Sequence, residues 1–297
     1  MWLFFAFIAP AFYAVAETLD NFLSNKAFRH PLTLTFYASL FNLVFMPVLF
    51  FLNPPVIPPL RTLPIFLALG FVGFGYLIPY YKALKTDDTS VAIAFLAIER
   101  IFVPVLAFLI VGEMLAVRQY IGIALIVVSV FSLALHNSKG RFRFSKAVWL
   151  ITVAALFLAF EGVLLKLLFD EGVTVSTAVI GESALCLVFG VSLLFLKRVR
   201  RDVMLSWPLF LKLSPIFLIE EGFTFLGQLT ESSAISVTSV SVVKGITMTS
   251  PFFLLFYAMA GHTLLPRVFK ENLHRKNIHK KLFLFCLLII GIILIKD

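Results

Sequence analysis

Long apolar segments recur along the whole chain, and they constrain its fold more than any other feature. Each is about 20 residues long, the length that a helix needs to cross the hydrocarbon core of a bilayer. The segments are continuous, whereas a membrane strand would alternate apolar and polar residues over about ten positions. The sequence therefore predicts an all-α polytopic membrane protein with ten transmembrane helices, at residues 2–24, 32–52, 62–84, 89–111, 117–136, 147–169, 175–197, 208–231, 236–261 and 281–296.

The composition excludes the main soluble classes of protein. Of the 297 residues, 61% are hydrophobic, against about 45–50% in soluble domains. A soluble fold of this length could not cover so much apolar surface with polar residues. This excludes a soluble enzyme, a nucleic-acid-binding domain and a disordered chain. Cys186 and Cys286 lie inside apolar segments, so we interpret them as packing residues.

The two halves of the chain resemble each other in sequence. A shift of 144 residues places Leu43-Val44-Phe45 on Leu187-Val188-Phe189 and Glu17 on Glu161. The shift stays between 144 and 151 residues over four predicted helices, so the similarity keeps a nearly constant register. The halves are therefore predicted to be structural repeats.

Each repeat contains five predicted helices, and this odd number makes the second repeat enter the membrane from the opposite side. We predict a first five-helix repeat at residues 1–138, a basic connector at 139–146 and a second five-helix repeat at 147–297. Inverted repeats of this kind place a substrate site near the membrane midplane and support alternating access.

Basic residues are concentrated on one predicted side of the membrane. The loops on that side and their helix ends hold 19 Lys and Arg residues, against four on the other side, Arg61, Arg118, Lys166 and Lys296. Because basic loops stay cytoplasmic, we expect a multi-pass protein of the cell membrane with both termini outside. The net charge of +9 is then mainly a topology signal, and no nucleic-acid partner is expected.

Ionisable residues interrupt most of the apolar segments. Each costs about 2.5–3.5 kcal/mol on insertion scales, so a function or a partner is expected for it. Predicted helices 5 and 10 carry almost none, which indicates that helices 1–4 and 6–9 surround a polar cavity. The residues are the acids Glu17, Asp20, Glu99, Glu161, Glu182, Glu220 and Glu221 and the bases Arg100 and Lys244.

These charges allow a functional and a structural interpretation. A carboxyl group could carry a coupling proton, or it could bind the ammonium group of a cationic or zwitterionic substrate. Alternatively, Arg100 and Lys244 could simply neutralise nearby glutamates. Glu99 and Arg100 point about 100° apart on a helix, so we do not expect them to pair with each other.

We predict a site for substrate binding or coupling between the repeats. Glu17 and Glu161 are its first candidates, because both lie deep in their segments and the repeat relates them. Tyr80 belongs either to a cavity wall or to an interfacial aromatic belt. The predicted site residues are Glu17, Asp20, Tyr80, Glu99, Arg100, Glu161, Glu220 and Lys244.

Enzyme signatures are absent from the sequence. It contains no His-Glu-X-X-His, no Gly-X-Ser-X-Gly and no Gly-X-X-X-X-Gly-Lys motif. We therefore expect no catalytic activity, no cofactor and no metal site.

One stretch of about forty residues resembles a known family. Its order and spacing are similar to the helix 3–5 pattern of the EamA family of the drug/metabolite transporter superfamily. The matching residues are Ala83-Leu84, Thr89-Ser90-Val91-Ala92, Pro104-Val105, Gly112-Glu113 and Gln119-Tyr120-Ile121-Gly122. The resemblance implies a secondary transporter with a central cavity lined by helices 1–4 and 6–9.

The chain departs from that family in three respects. Gly261-His262 stands where the family usually has Gly-Glu, and Glu99-Arg100 lies in a helix that is typically apolar. The family usually keeps both termini cytoplasmic, whereas the basic residues here predict termini outside.

Two classes of function remain open at the level of sequence. The first is a secondary transporter of a small polar organic metabolite, with a proton-coupled exporter as one form. The second is a non-transporting membrane assembly or lipid-binding protein, with a lipid flippase between the two. The substrate, the direction, the coupling ion and the oligomeric state are left open.

Overall fold

The computed structural model describes residues 1–28, 30–85, 96–137, 146–250, 252–254, 256–257 and 275–295. The described part of the chain is mainly helical. No strand occurs among these residues. The helices are α1 Trp2–Phe22, α2 Pro31–Leu40, α3 Asn42–Leu52, α4 Leu63–Gly75, α5 Leu77–Leu84, α6 Glu99–Val111, α7 Val117–Asn137, α8 Lys146–Asp170, α9 Val175–Ser192, α10 Lys197–Ile235, α11 Val240–Thr247 and α12 Arg275–Ile295.

Six helical stretches in the described part of the chain are long and apolar enough to cross a membrane. They are Trp2–Asp20, Pro31–Leu52, Leu60–Leu84, Ala147–Asp170, Val175–Phe195 and Lys197–Ile235. Shorter apolar helical stretches cover Val117–Val130, Val240–Leu254 and Phe283–Ile295. The all-helical membrane class is confirmed, whereas the ten spans and the inverted repeat stay predictions.

Two of the long stretches are interrupted helices. Phe41 separates α2 from α3, and Tyr76 separates α4 from α5, each with the backbone still in the right-handed helical region. Neither interruption contains a loop, so each pair of helices forms one helical stretch. Tyr76 and the two tyrosines of α5, Tyr80 and Tyr81, line one cavity.

The predicted start of helix 8 at residue 208 is wrong, because α10 begins at Lys197 and is 39 residues long. Val199, Val203 and Phe210 follow helical spacing and are buried, so the segment packs as an amphipathic helix. A helix of that length extends about 58 Å, well beyond the roughly 30 Å hydrocarbon core. The helix is therefore longer than a single crossing of the core requires.

Contacts at the two ends of the bundle show which loops share a side. At one end, His30 lies 3.6 Å from Asp202 and Tyr37 donates a 2.6 Å hydrogen bond to the Val203 carbonyl. At the other end, Arg61 pairs with Glu171 at 2.7 Å. The basic start of α10 thus lies at the first end, opposite Arg61.

Glycines allow several helices to approach one another closely. In α1 and α10, a Cβ added at Gly227 would lie 2.6 Å from the Tyr13 ring, and in α4 and α9 one added at Gly70 would lie 2.3 Å from Leu185 Cβ. The pair α7 and α12 crosses with Gly122 against Gly291. Among the described residues, α12 contributes nothing to the central cavity and α7 contributes Val130.

Alanine at Gly122 is expected to destabilise the fold by about 1–3 kcal/mol, the usual effect of overpacking. Its Cβ would lie 2.6 Å from the Gly291 carbonyl oxygen, which belongs to backbone and cannot rotate away. Gly75→Ala is the matched control, since its nearest neighbours are Phe157 ring carbons at 3.5 Å or more. Thermal unfolding in detergent measures both, and equal midpoints would contradict the close crossing.

Candidate functional site

A polar cavity of about 220 Å³ lies at the centre of the bundle. Helices α1 to α6 and α8 to α11 contribute side chains to its wall, together with Val130 of α7. The structure brings all of the sequence-predicted site residues to this one cavity, namely Glu17, Asp20, Tyr80, Glu99, Arg100, Glu161, Glu220 and Lys244. Their role there remains a prediction.

Helical spacing explains how single helices supply several polar groups. In α1, Tyr13, Glu17 and Asp20 recur every three or four residues, so they lie on one face. In α10 the same spacing joins a longer series of cavity residues, Glu220, Thr224, Gln228 and Glu231. These two helices pack along each other through Tyr13 and Gly227.

Lys244 is bound by two carboxylates. Its Nζ lies 3.3 Å from Glu99 Oε1 and 3.2 Å from Glu231 Oε2, and its side chain is 5% exposed. Glu231 also accepts hydrogen bonds from Tyr13 at 3.0 Å and from Thr247 at 2.9 Å. The lysine is therefore enclosed in a buried ionic network.

Arg100 completes this network from α6. Its guanidinium contacts the Glu99 carboxylate, while its Nε donates to the Lys244 carbonyl at 2.7 Å and its Nη2 donates to Thr247 at 3.2 Å. The expectation that Glu99 and Arg100 do not pair is wrong. The angle between adjacent Cβ directions does not limit an arginine side chain that is long enough to bend back. Two acids and two bases balance in charge here.

Sequence reasoning missed Glu231 as a member of the site. It is the last residue of the predicted helix 8 and is followed by two serines, so it looks like an interfacial residue. Its helical register with Glu220, Thr224 and Gln228 was the available signal. The structure continues α10 to Ile235 and buries Glu231 to 6% exposure.

The remaining carboxyl groups of the cavity form no salt bridge within the described ranges. They are Glu17, Asp20, Glu161, Glu182, Glu220 and Glu221. Several accept hydrogen bonds from neutral groups instead. Ser250 donates to Glu17 at 2.9 Å, Gln228 donates to Glu182 at 2.8 Å, and Tyr80 and Tyr81 donate to Asp20 at 3.2 and 2.9 Å.

Glu161 has little hydrogen-bond support from its neighbours. It is 8% exposed, it lines the cavity, and its Oε2 has no hydrogen-bond partner among the described residues. A buried polar atom of this kind is expensive unless something else binds it. The site therefore combines a charge-balanced ionic network with a set of acids that form no salt bridge among the described residues.

Glu113 ties the loop after α6 to the start of α11. Its carboxylate accepts hydrogen bonds from Ser239 Oγ at 2.8 Å, Val240 N at 2.9 Å and Ser241 N at 3.2 Å. Negative charge at a helix N-terminus is also favoured by the helix dipole. Because α11 carries Lys244, Glu113 fixes the element that places the lysine.

Glutamine at Glu113 is expected to destabilise the protein by about 1–3 kcal/mol, because its amide nitrogen would face backbone N–H donors. Glu171→Gln is the control at the same end of the bundle. Glu171 pairs with Arg61, which is 72% exposed, and an exposed pair contributes about 1 kcal/mol at most. Denaturation midpoints that fall equally in both variants would contradict the proposed stabilisation of the α11 N-terminus by Glu113.

Some sequence features lie outside the described residues. These are Thr89-Ser90-Val91-Ala92 of the family motif and the Gly261-His262 departure. Within the described ranges, no group of His, Cys, Asp and Glu side chains is arranged to hold a metal ion.

Comparison with known proteins finds a family model that matches the first part of the chain and a solved structure that shares its fold. The EamA-like transporter family matches residues 1–135, which confirms the resemblance predicted from the motif. A solved structure described only as "Crystal structure of protein" has a TM-score of 0.65 and 14% identity, and the match covers 96% of this chain and 97% of that chain. At that identity the likeness shows the fold alone. No curated protein matches the chain.

Proposed function

We propose that this membrane transporter carries a small polar organic molecule by alternating access. The premise is the match of residues 1–135 to the EamA-like transporter family. The observation that carries the proposal is the central cavity with six carboxyl groups that form no salt bridge among the described residues. Groups that served only to stabilise the bundle would be expected to pair, because unpaired buried charge is costly.

The architecture that we propose for this mechanism is ten helices in two inverted repeats, at residues 1–138 and 147–297. Two observations support it. The register of the repeat relates Glu17 to Glu161, and α1 and α8 bring these two residues to the same cavity. Repeat-related acids in one cavity would present a similar site to each side of the membrane in turn.

Proton-coupled export is the mode of transport that we propose. A buried carboxyl group without a cation is stable when it is protonated and becomes a binding group when it loses the proton. Protons and substrate would thus compete for the same acids. Each turnover would then return a proton in exchange for a substrate molecule.

Flux in proteoliposomes tests this function. The purified chain is reconstituted, metabolites of different charge are screened with and without a pH gradient, and protein-free liposomes provide the background. We expect substrate-dependent flux that the gradient increases. Absence of flux for every class would contradict a transporter, and translocation of a labelled phospholipid alone would indicate a flippase instead.

The orientation that we propose places both termini outside the cell membrane. It follows from the distribution of Lys and Arg between the two sides. A fluorescent reporter that matures only in the cytoplasm, fused after Asp297, is expected to stay dark. Bright cells would contradict this orientation and support the inside termini that the family usually has.

A further inference from the structure

Both basic side chains of the cavity are already bound by carboxylates. Lys244 lies between Glu99 and Glu231, and Arg100 binds Glu99 together with the Lys244 carbonyl and Thr247. Within the described part of the chain, the cavity therefore offers no unpaired cation to a substrate. A carboxylate or phosphate group on the substrate would have to break this network to find a partner.

The cavity also contains carboxyl groups that form no salt bridge among the described residues. Glu161 and Glu182 are 8% and 2% exposed, respectively, and both line the cavity. Glu161 Oε2 has no hydrogen-bond partner among the described residues. A protonated amine placed there would give Oε2 a hydrogen-bond donor and add a positive charge that pairs with the carboxylate directly, as a charge-assisted hydrogen bond does.

Aromatic rings line the same space. Tyr13, Tyr76 and Tyr80 all belong to the cavity wall, and the Tyr76 and Tyr80 ring centroids are 6.2 Å apart. Tyrosine faces attract organic cations through the quadrupole of the ring. They would also bury the apolar part of a small molecule. The wall thus suits a cation that carries a hydrocarbon body.

We propose that the substrate is an organic cation whose protonated amine binds at Glu161, beside Glu182. This inference rests on the proposed transport function and adds the substrate class to it. Zwitterions are disfavoured because their carboxylate would meet either acids or a network whose bases are already paired. Simple anions are disfavoured for the same reason.

Ligands that share one phenylalkyl skeleton test the proposal by thermal stabilisation of the full chain in detergent. The cation is 2-phenylethylamine, the zwitterion is phenylalanine, the anion is 3-phenylpropanoate and the neutral control is 2-phenylethanol. We expect the amine to raise the unfolding midpoint in a saturable way and to exceed the other three. Equal or greater stabilisation by the anion or the zwitterion, or no response to the amine, would overturn the inference.

Charge-neutral variants locate the binding site. Glu161→Gln is expected to weaken amine binding about 10-fold or more, the usual effect of losing a hydrogen bond to a charged group. Asp170→Asn is the control on the same helix, because Asp170 is 48% exposed and pairs with Lys166. Glu182→Gln provides a second variant that should act in the same direction as Glu161→Gln. Unchanged affinity in both glutamine variants would overturn the site.

The outcome also separates this inference from the function on which it rests. Flux of an anionic or neutral metabolite in proteoliposomes, with no binding of the amine, would overturn the cation assignment and leave the transporter intact. Absence of any flux would contradict the transport function itself.

Discussion

Methionine at Lys244 is expected to lower the free energy of unfolding by about 3–5 kcal/mol, because it leaves buried carboxylates without their partner. Lys244 Nζ is 3.3 Å from Glu99 and 3.2 Å from Glu231, and Arg100 alone cannot balance both acids. Chemical or thermal denaturation in detergent measures the loss. Lys166→Met is the control. Among the described residues, the one salt bridge of Lys166 joins it to the exposed Asp170 four residues along its helix, so the change should alter stability by less than about 1 kcal/mol.

A double variant shows whether the loss comes from the ionic network. Lys244→Met combined with Glu231→Gln removes one base and one acid together, so the charges balance again. We expect the double variant to be more stable than Lys244→Met alone, which is the sign of a coupled pair. If the losses in free energy of unfolding from Lys244→Met and Glu231→Gln simply add, Lys244 stabilises the protein by packing and the ionic account of this region is wrong.

Glutamine at Glu161 is expected to reduce gradient-driven accumulation of substrate to the level of protein-free liposomes. The amide cannot exchange a proton for a substrate cation, so coupling is lost. We expect exchange of labelled for unlabelled substrate to persist at high substrate concentration. Folding should not suffer, because Glu161 forms no salt bridge among the described residues and its Oε2 has no hydrogen-bond partner. Asp170→Asn should transport like the wild type.

Glu17 belongs to the same test, because the repeat relates it to Glu161. Ser250 donates a 2.9 Å hydrogen bond to Glu17, so we expect a smaller defect in Glu17→Gln than in Glu161→Gln. Transport is followed from about pH 5.5 to 8. If both variants match the wild type throughout, the site assignment is wrong, and Glu220 and Glu99 become the next candidates.

Charged residues inside apolar segments were the feature from which the site was most predictable. Their insertion cost makes them rare without a function or a partner, and the structure places Glu17, Glu161 and Lys244 in one cavity. Which acids pair with which bases could not be predicted in the same way. Pairing depends on the rotation and depth of several helices relative to one another, and no local pattern encodes it.

The exceptions have identifiable physical causes. Glu231 was missed because its neighbours suggest an interface, although helical register links it to Glu220. The pair formed by Glu99 and Arg100 was excluded because the prediction considered Cβ directions and not the reach of the arginine side chain. The start of α10 was misplaced because Lys197 to Arg201 suggested a loop, whereas buried apolar residues at helical spacing keep that segment helical.

The central claim is that one acid-lined cavity opens to each side of the membrane in turn. The reaction of Cys186 with thiol reagents added from either side tests it. Cys186 lines the cavity. The other cysteine, Cys286, is exposed, so the test uses a Cys286→Ser variant. Cationic and anionic membrane-impermeant methanethiosulfonates are applied to either face of reconstituted vesicles. We predict reaction from both faces, faster with the cationic reagent and slowed by 2-phenylethylamine. Reaction from only one face under every condition, or faster reaction with the anionic reagent, would contradict the account.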